Sequence, residues 1–224
     1  MYTNGTILLT GGTGKISSRI APLLSTNGNT VLVASRSGTA PSLPNCHGIH
    51  FDWLDSKTYS TPFSHSPISA IFLVSPPIMD GLPAMRAFIS LAVTKGVKRF
   101  VLLSASLLDA GDGPMMGQVA QYIREIGEGV EYAILQPTWF MEDFSEMQHA
   151  VSIRDMDTIV TATGEGKVPF VSAEDIAAVA CRALTKKSSD NADLLIFGPE
   201  LYSYDQVRIP SQLAPSGFIS PTSY

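Results

Sequence analysis

The segment from Thr6 to Ser17 limits what this chain can fold into more than any other stretch. Thr6 to Thr10 (TILLT) is a short apolar run that ends on Gly11-Gly12, the pattern of a strand covered on both faces. Ser17 to Thr26 then carries Ile20, Leu23 and Leu24 at helical spacing, and Gly28-Asn29 ends it. Val31 to Ala34 (VLVA) reads as a second buried strand. Strand, turn, helix and strand in about 30 residues make a βαβ unit.

The alternation continues downstream. Gly38 to Asn45 is a Pro-, Ser- and Gly-rich loop, Gly48 to Phe51 a short third strand, and Ala70 to Val74 (AIFLV) a fourth, closed by Ser75-Pro76-Pro77. Leu82 to Thr94 has a helical apolar period with Gly96 as its C-terminal stop, and Arg99 to Leu103 (RFVLL) is a fifth strand. Met116 to Gly127 reads as helix, and Glu131 to Leu135 as a sixth strand stopped by Pro137. Strands alternating with helices predict an α/β fold, a doubly wound parallel sheet. After Phe144 the pattern loosens. Thr158 to Ala162 is a candidate strand, and Ala173 to Leu184 a helix with Ser172 as N-cap and Asp175 at the capping-box offset. Leu194 to Phe197 is a candidate last strand, and the Pro- and Ser-rich stretch 208–224 reads as irregular.

A length of 224 residues suits one well-buried domain, or one with a small appendage. A net charge of -5 with no basic cluster argues against nucleic acid as a partner. The two cysteines, Cys46 and Cys181, have no CxxC or Cys/His spacing, and His47, His50, His65 and His149 have none either, so no metal site is expected. The start of the chain lacks a secretory pattern and no apolar run reaches the ~20 residues of a membrane span. The expectation is a cytoplasmic protein that does not engage membranes.

Gly11-Gly12-Thr13-Gly14-Lys15-Ile16-Ser17 follows a strand and opens a helix, the context that a dinucleotide fingerprint requires. Gly11 permits the tight turn, and Gly14 leaves a pyrophosphate free to approach the helix N-terminus, where unpaired N–H groups and the dipole favour negative charge. Ser17 stands where a third glycine would lie and lets helix and strand pack closely. The alternative is a glycine-rich turn that binds nothing. A phosphate-binding loop of the Walker type is excluded, because no glycine precedes Gly14-Lys15 at the required offset. At the end of the second strand stands Ser35-Arg36-Ser37 with no carboxylate nearby. A carboxylate there would hold the 2′-hydroxyl of NAD, whereas an arginine accommodates a 2′-phosphate, so the expected cofactor is NADP(H). Otherwise Arg36 is a solvated surface charge. Asp52-Trp53, past the third strand, is placed to contact the adenine, and Ser75-Pro76 to border the nicotinamide ribose.

The ordered runs LLTGGTGKIS, VASRSG, FDWLD, RFVLLSAS, YAILQPTWFMEDF and GKVPFVSAEDIAAVA resemble the NmrA-like branch of the atypical short-chain dehydrogenases. Within it the chain is most similar to the fungal ergot-alkaloid dehydrogenases of the festuclavine and agroclavine synthase type, from about Thr6 to Val207. The resemblance implies a Rossmann fold, NADP(H) and a smaller C-terminal substrate region. It matches Gly11, Thr13, Gly14, Lys15, Ile16 and Arg36 to the cofactor motifs, and Pro137-Thr138-Trp139-Phe140 to the segment below the nicotinamide. Lys167, Phe170 and Asp175 match a later, mainly structural signature. The domain division expected is a cofactor core at 1–144, a small substrate region at 145–207 interleaved with it, and the tail.

Ordinary short-chain dehydrogenases protonate a developing alkoxide with a Tyr-x-x-x-Lys pair. Here Tyr122 is present but the lysine position is Ile126, which leaves Tyr122 either a weak acid or an ordinary tyrosine on an amphipathic helix. Hydride transfer to an iminium ion yields a neutral amine and needs no proton donor, and the resemblance implies work on such a C=N bond. Ser104 and Ser106, after the fifth strand, either hydrogen-bond substrate or carboxamide, or cap the strand end. Trp139, Phe140 and the loop Leu107 to Met116 could wall an indole amine, or be simple core. Relatives of this kind usually continue for several dozen residues beyond the equivalent of Leu201 as helices that close over the substrate. Here the match stops after Val207, so the expected substrate region is truncated, with its cover missing, rebuilt or lent by a homodimer partner. Three readings stand: an NADPH-dependent imine or iminium reductase of fungal alkaloid metabolism, a cofactor-holding cyclase or isomerase, and a redox-sensing regulator of the NmrA type.

Overall fold

The computed structural model describes residues 5–106, 108–111, 116–146, 148–156 and 158–207. Seven strands form one sheet: β1 (Thr6–Leu9), β2 (Thr30–Ser35), β3 (Cys46–His50), β4 (Ile68–Leu73), β5 (Arg99–Leu103), β6 (Glu131–Pro137) and β7 (Ala192–Ile196). Their order is β3-β2-β1-β4-β5-β6-β7, and the ladders joining β3 through to β6 are all parallel. Order reverses at β1, which lies between β2 and β4, so this is the doubly wound Rossmann sheet expected from the alternating pattern. The helices are α1 (Lys15–Thr26), α2 (Leu82–Thr94), α3 (Met116–Glu125), α4 (Gln148–Met156) and α5 (Ala173–Thr185).

Burial on both faces explains why the strands read as continuous apolar runs. Leu8, Leu32, Ile71, Leu73, Phe100, Leu102 and Ile134 pack in one cluster with Met85, Phe88 and Ile89 of α2 and Val119, Ala120 and Ile123 of α3. Residues of the other parity, Ile7, Leu9, Val31, Val33 and Phe72, are equally buried, as are Ile16, Ile20, Ala21 and Leu24 of α1. After α2, Gly96 takes φ +87 and its N–H donates to the Val93 carbonyl, while the Val97 N–H reaches back to Ala92. That closes the helix as its glycine predicts.

The chain divides into two compact units. The first holds the described residues up to Gln136 together with Glu174–Leu195, and the second holds Pro137–Ala173 and the described residues from Ile196. Expectations fail mainly in the second. Thr158 to Ala162 is not a strand: its β-branched residues favour one, but among the described residues no strand pairs with it, and Thr163 N–H instead donates to Thr161 Oγ1 at 3.2 Å. Before it lies α4, which the sequence hides because its buried positions four apart are His149 and Ile153, only one of them apolar. The last strand begins at Ala192, two residues before the expected Leu194, and ends at Ile196, leaving Phe197 exposed. The Ala173 N–H donates to both oxygens of Glu142, at 3.0 and 2.9 Å, a carboxylate that capping-box spacing does not reveal. The irregular tail expected at 208–224 and half of the Leu107 to Met116 loop (107 and 112–115) lie outside the described residues.

His149, Phe144, Phe170 and Tyr204 form the aromatic core of the second unit, with ring centroids 5.3 to 5.8 Å apart. Burial pushes the His149 imidazole below the ordinary histidine range, against the pull of the Asp143 carboxylate. The unfolded chain therefore takes up that proton first. His149 contributes stability that is whole above the unfolded histidine value of about 6.5 and drains away as pH falls through the lower folded value. Urea midpoints should fall between about pH 7.5 and pH 5.5, and His149→Phe should flatten that slope. An equal slope in both proteins would place the acid sensitivity elsewhere.

Candidate cofactor site

The glycine turn is fixed by a backbone conformation at Gly11 and a close approach at Gly12 that favour glycine. Gly11 adopts φ +58 beside Val74, and Gly14 N–H donates to the Gly11 carbonyl at 2.8 Å. Gly12, which the fingerprint leaves as an unspecified position, is the tightest: a Cβ there would lie 2.4 Å from Val33 Cγ1 and 3.0 Å from the Ala34 backbone. Its N–H donates to the Ala34 carbonyl at 2.8 Å, which pins the turn to β2. The adjacent pair of glycines was the signal for this role. Ser17 is 1% exposed and its hydroxyl donates to the Thr10 carbonyl at 2.8 Å, so the small residue both lets α1 close on β1 and fastens it. Thr10 in turn bridges to β4, donating to the Phe72 carbonyl and accepting from the Val74 N–H.

The amino end of α1 suits an anion. Gly14 is its N-cap with no side-chain cap, and the first turn carries no acidic residue. The N-cap therefore supplies no side-chain acceptor to the backbone N–H groups of the first turn, that of Ile16 among them, and the helix dipole adds to their pull. Ile16 itself is core, 3% exposed, so its contribution is its amide. Thr13 and Gly14 are exposed beside it.

The parallel register brings the other expected residues of the first unit to the same edge. Leu9 stands opposite Val33 and Phe72, Ser35 opposite His50, and Leu73 opposite Leu102, so the chain leaves every one of these strands on one side of the sheet. Arg36 follows β2, is exposed, and has no ion-pair partner among the described residues. Asp52 turns its carboxylate to the Leu54 N–H at 2.9 Å. Trp53 is half-buried, its ring edge-on to Phe51 at 4.9 Å and to Phe88 at 5.4 Å. Ser75 and Pro76 lie beyond β4, backed by Gly81, where a Cβ would come within 2.9 Å of Pro76. Beyond β5, Ser104 is 4% exposed and its hydroxyl has no hydrogen-bond partner among the described residues, an unmet polar group in the interior. Ser106 is half-buried two residues on.

Tyr122 goes elsewhere. Its hydroxyl is 2.7 Å from Ser90 Oγ, and Arg86 lies 4.7 Å over its ring, so the side chain belongs to the seam of α2 and α3. Ser90 is eight residues into α2, roughly 12 Å from the end that leaves the sheet edge at 1.5 Å per residue. Pro137 and Phe140 belong to the second unit: Pro137 closes β6, and Phe140 bridges to Val171.

Open parallel sheets bind nucleotides outside the carboxyl ends of their strands where strand order reverses, and the glycine turn stands at that point. Fold and turn together define a Rossmann dinucleotide-binding protein. Residues 11–187 match the NAD(P)H-binding family, and the chain belongs to it. It is 47% identical over 208 residues to festuclavine synthase I of Penicillium roqueforti and to agroclavine dehydrogenase of Claviceps fusiformis, in each case over 90% of this chain and 71% of the relative. Festuclavine dehydrogenase of Aspergillus fumigatus is 43% identical over the same shares. Among solved structures, the triphenylmethane reductase of Citrobacter sp. complexed with NADP(H) superposes with a TM-score of 0.72 at 16% identity, over 92% of this chain and 74% of that one. The protein is an NAD(P)-dependent oxidoreductase with a small-molecule substrate. Among the described residues, no helix is long and apolar enough to cross a membrane.

Proposed function

We propose that the protein is an NADPH-dependent reductase of a carbon–nitrogen double bond in fungal alkaloid secondary metabolism. The observation that carries this reading is its 43–48% identity, over 90% of its length, to festuclavine synthases and agroclavine dehydrogenases. Arg36 supports NADP(H) over NAD(H): it is the only charged residue in the turn after β2, with no acidic residue to hold a 2′-hydroxyl.

Bound NADPH supplies two electrons and one hydrogen. The chain's part is to hold the nucleotide by the glycine turn and Arg36, and to orient the acceptor. Reduction of an iminium gives a neutral amine directly, so the reaction asks for no proton donor. That agrees with Ile126 at the lysine position and with Tyr122 engaged by Ser90. Ser104, whose buried hydroxyl has no hydrogen-bond partner among the described residues, is the group we assign to orienting substrate or carboxamide, with Ser106 beside it. A cavity of about 430 Å³ in the second unit, lined by Trp139, His149, Thr161 and Tyr204, has the size and aromatic walls for a polycyclic indole amine, and we take it as the substrate region. Both cysteines are free, which suits a reducing cytosol.

The test is to incubate the protein with NADPH and a cyclic iminium, following reduced-nicotinamide absorbance and amine product together. Stoichiometric loss of NADPH and gain of amine is the expected result. A rearranged product at the oxidation level of the iminium, formed without NADPH consumption, would make the protein a cyclase or isomerase, and tight NADP binding without turnover a redox sensor. In the same assay Tyr122→Phe should keep kcat within about twofold, since a role in helix packing leaves the barrier untouched. A loss of more than about tenfold would restore the tyrosine as proton donor.

A further inference from the structure

We infer that His50 is a second, protonation-dependent cation of the 2′-phosphate subsite, which tightens NADP(H) relative to NAD(H) as pH falls. This rests on the NADP(H) preference proposed above. His50 closes β3 directly opposite Ser35, the last residue of β2. Beyond Ser35 the chain folds back over β3. Gly38 is left-handed at φ +66, and a Cβ on Gly48 would lie 2.0 Å from the Gly38 carbonyl oxygen, so the turn can lie down only on a glycine. The same packing sets Gly38 against His50, whose N would be 3.4 Å from a Cβ at Gly38.

The imidazole then reaches Arg36. His50 Nδ1 lies 2.8 Å from the Arg36 carbonyl oxygen. A carbonyl can only accept, so Nδ1 carries the proton and Nε2 is left as the basic nitrogen of an exposed ring. Protonation at Nε2 creates a cation with a new N–H donor, hydrogen-bonded through its other nitrogen to the residue that reads the phosphate. Ser37 Oγ, 3.2 Å from Ser35 Oγ and 2.7 Å from Thr39 Oγ1, adds uncharged donors on the same turn.

The surrounding charges favour linkage to phosphate. From β2 and its turn only Arg36 is charged. On β3 and beyond it stand His47 and Asp52, the latter's carboxylate turned to the Leu54 N–H. The 3₁₀ turn Thr61–Ser64 beside β3 brings no charged residue, and His65 follows it. A 2′-phosphate dianion beside the ring favours its charged form, so NADP(H) binding draws a proton onto His50 and the proton strengthens binding by the same factor.

The experiment measures Kd for NADP⁺ and NAD⁺ by calorimetry at about pH 8 and about pH 6, a range that spans histidine titration, for the wild type and His50→Asn. An asparagine amide can occupy the Nδ1 position and keep the Arg36 bond while lacking Nε2. The ionisation of the 2′-phosphate itself, near pH 6, moves both proteins alike. Lowering the pH should widen the NADP⁺ advantage of the wild type over the variant by about three- to fivefold, the scale of an exposed ion pair. NAD⁺ affinity should not distinguish the two proteins at either pH. Parallel NADP⁺ profiles, with NADP⁺ still preferred, would overturn the role of His50 and leave the cofactor reading standing. Equal affinity for NADP⁺ and NAD⁺ in the wild type at both values would overturn both.

Discussion

Gly14→Asp should weaken NADPH binding by at least about 100-fold while leaving the fold as stable as before, or slightly more so. The two halves of that result have one cause. Gly14 is the N-cap of α1, at φ -77 and ψ 167, a backbone conformation open to any residue. Aspartate is among the best N-caps, because its carboxylate accepts from the amides of the first turn and complements the positive end of the dipole. Those are the donors we assign to the pyrophosphate. The variant would satisfy them permanently and set a negative charge where the phosphates must come. The added Cβ meets only the Gly11 carbonyl oxygen, at 3.0 Å, so the turn has to give by a few tenths of an ångström. Calorimetric titration with NADPH and a thermal melt of the apo protein read the two effects separately. Retained binding would sink the pyrophosphate assignment, and lost binding with a collapsed melting temperature would mean that the turn was broken rather than filled.

How legible this site was in the sequence depended on how local its determinants are. The bounds of α2 and β5 are as expected because Gly81, Pro83 and Gly96 punctuate the chain at those points. The carboxyl-edge residues Gly11, Gly14, Arg36, Ser75 and Ser104 follow directly once the strands are placed, since a parallel sheet sends every strand end to one side. What stayed hidden depends on partners distant in sequence. Gly12 is obligatory because Val33 lies behind it, and Gly48 because the turn at Gly38 lies on it. With Ile126 at the lysine position, the sequence leaves Tyr122 either a weak acid or an ordinary tyrosine on a helix, and its bond to Ser90, 32 residues earlier, is a tertiary fact. In the second unit, α4 buries a histidine where a periodicity search looks for an apolar residue, and the β-branched run Thr158 to Thr161 had strand propensity but no strand to pair with.

Arg99→Met should cost about 3 kcal/mol of unfolding free energy without changing NADPH affinity by more than about twofold. Arg99 opens β5, is 7% exposed and stands opposite Glu131 in the β6 register. Its Nε donates to Glu131 Oε2 at 2.8 Å and its Nη2 reaches the same oxygen. Its Nη1 donates to the carbonyls of Leu184 and Lys186, at the end of α5 and just past it. One guanidinium thus joins two strands to the helix end, a geometry that a lysine ammonium cannot reproduce, so Arg99→Lys should recover little. Methionine fills much of the volume but leaves the carbonyls of Leu184, Lys186 and Lys187 without the guanidinium donor. Among the described residues Glu131 keeps only the Ser189 N–H at 3.3 Å, and an abandoned charge outweighs a pair that was never formed. The double variant Arg99→Met with Glu131→Leu should therefore be more stable than Arg99→Met alone, as urea midpoints would show. An additive or worse double variant would mean that the cost comes from the orphaned carbonyls and not from the carboxylate. Affinity should survive because Arg99 lies at the amino end of its strand, at the opposite edge of the sheet from the glycine turn. A charged network ties strands and helix together at one edge, while Ser104 at the other end of the same strand keeps its buried hydroxyl without a partner among the described residues.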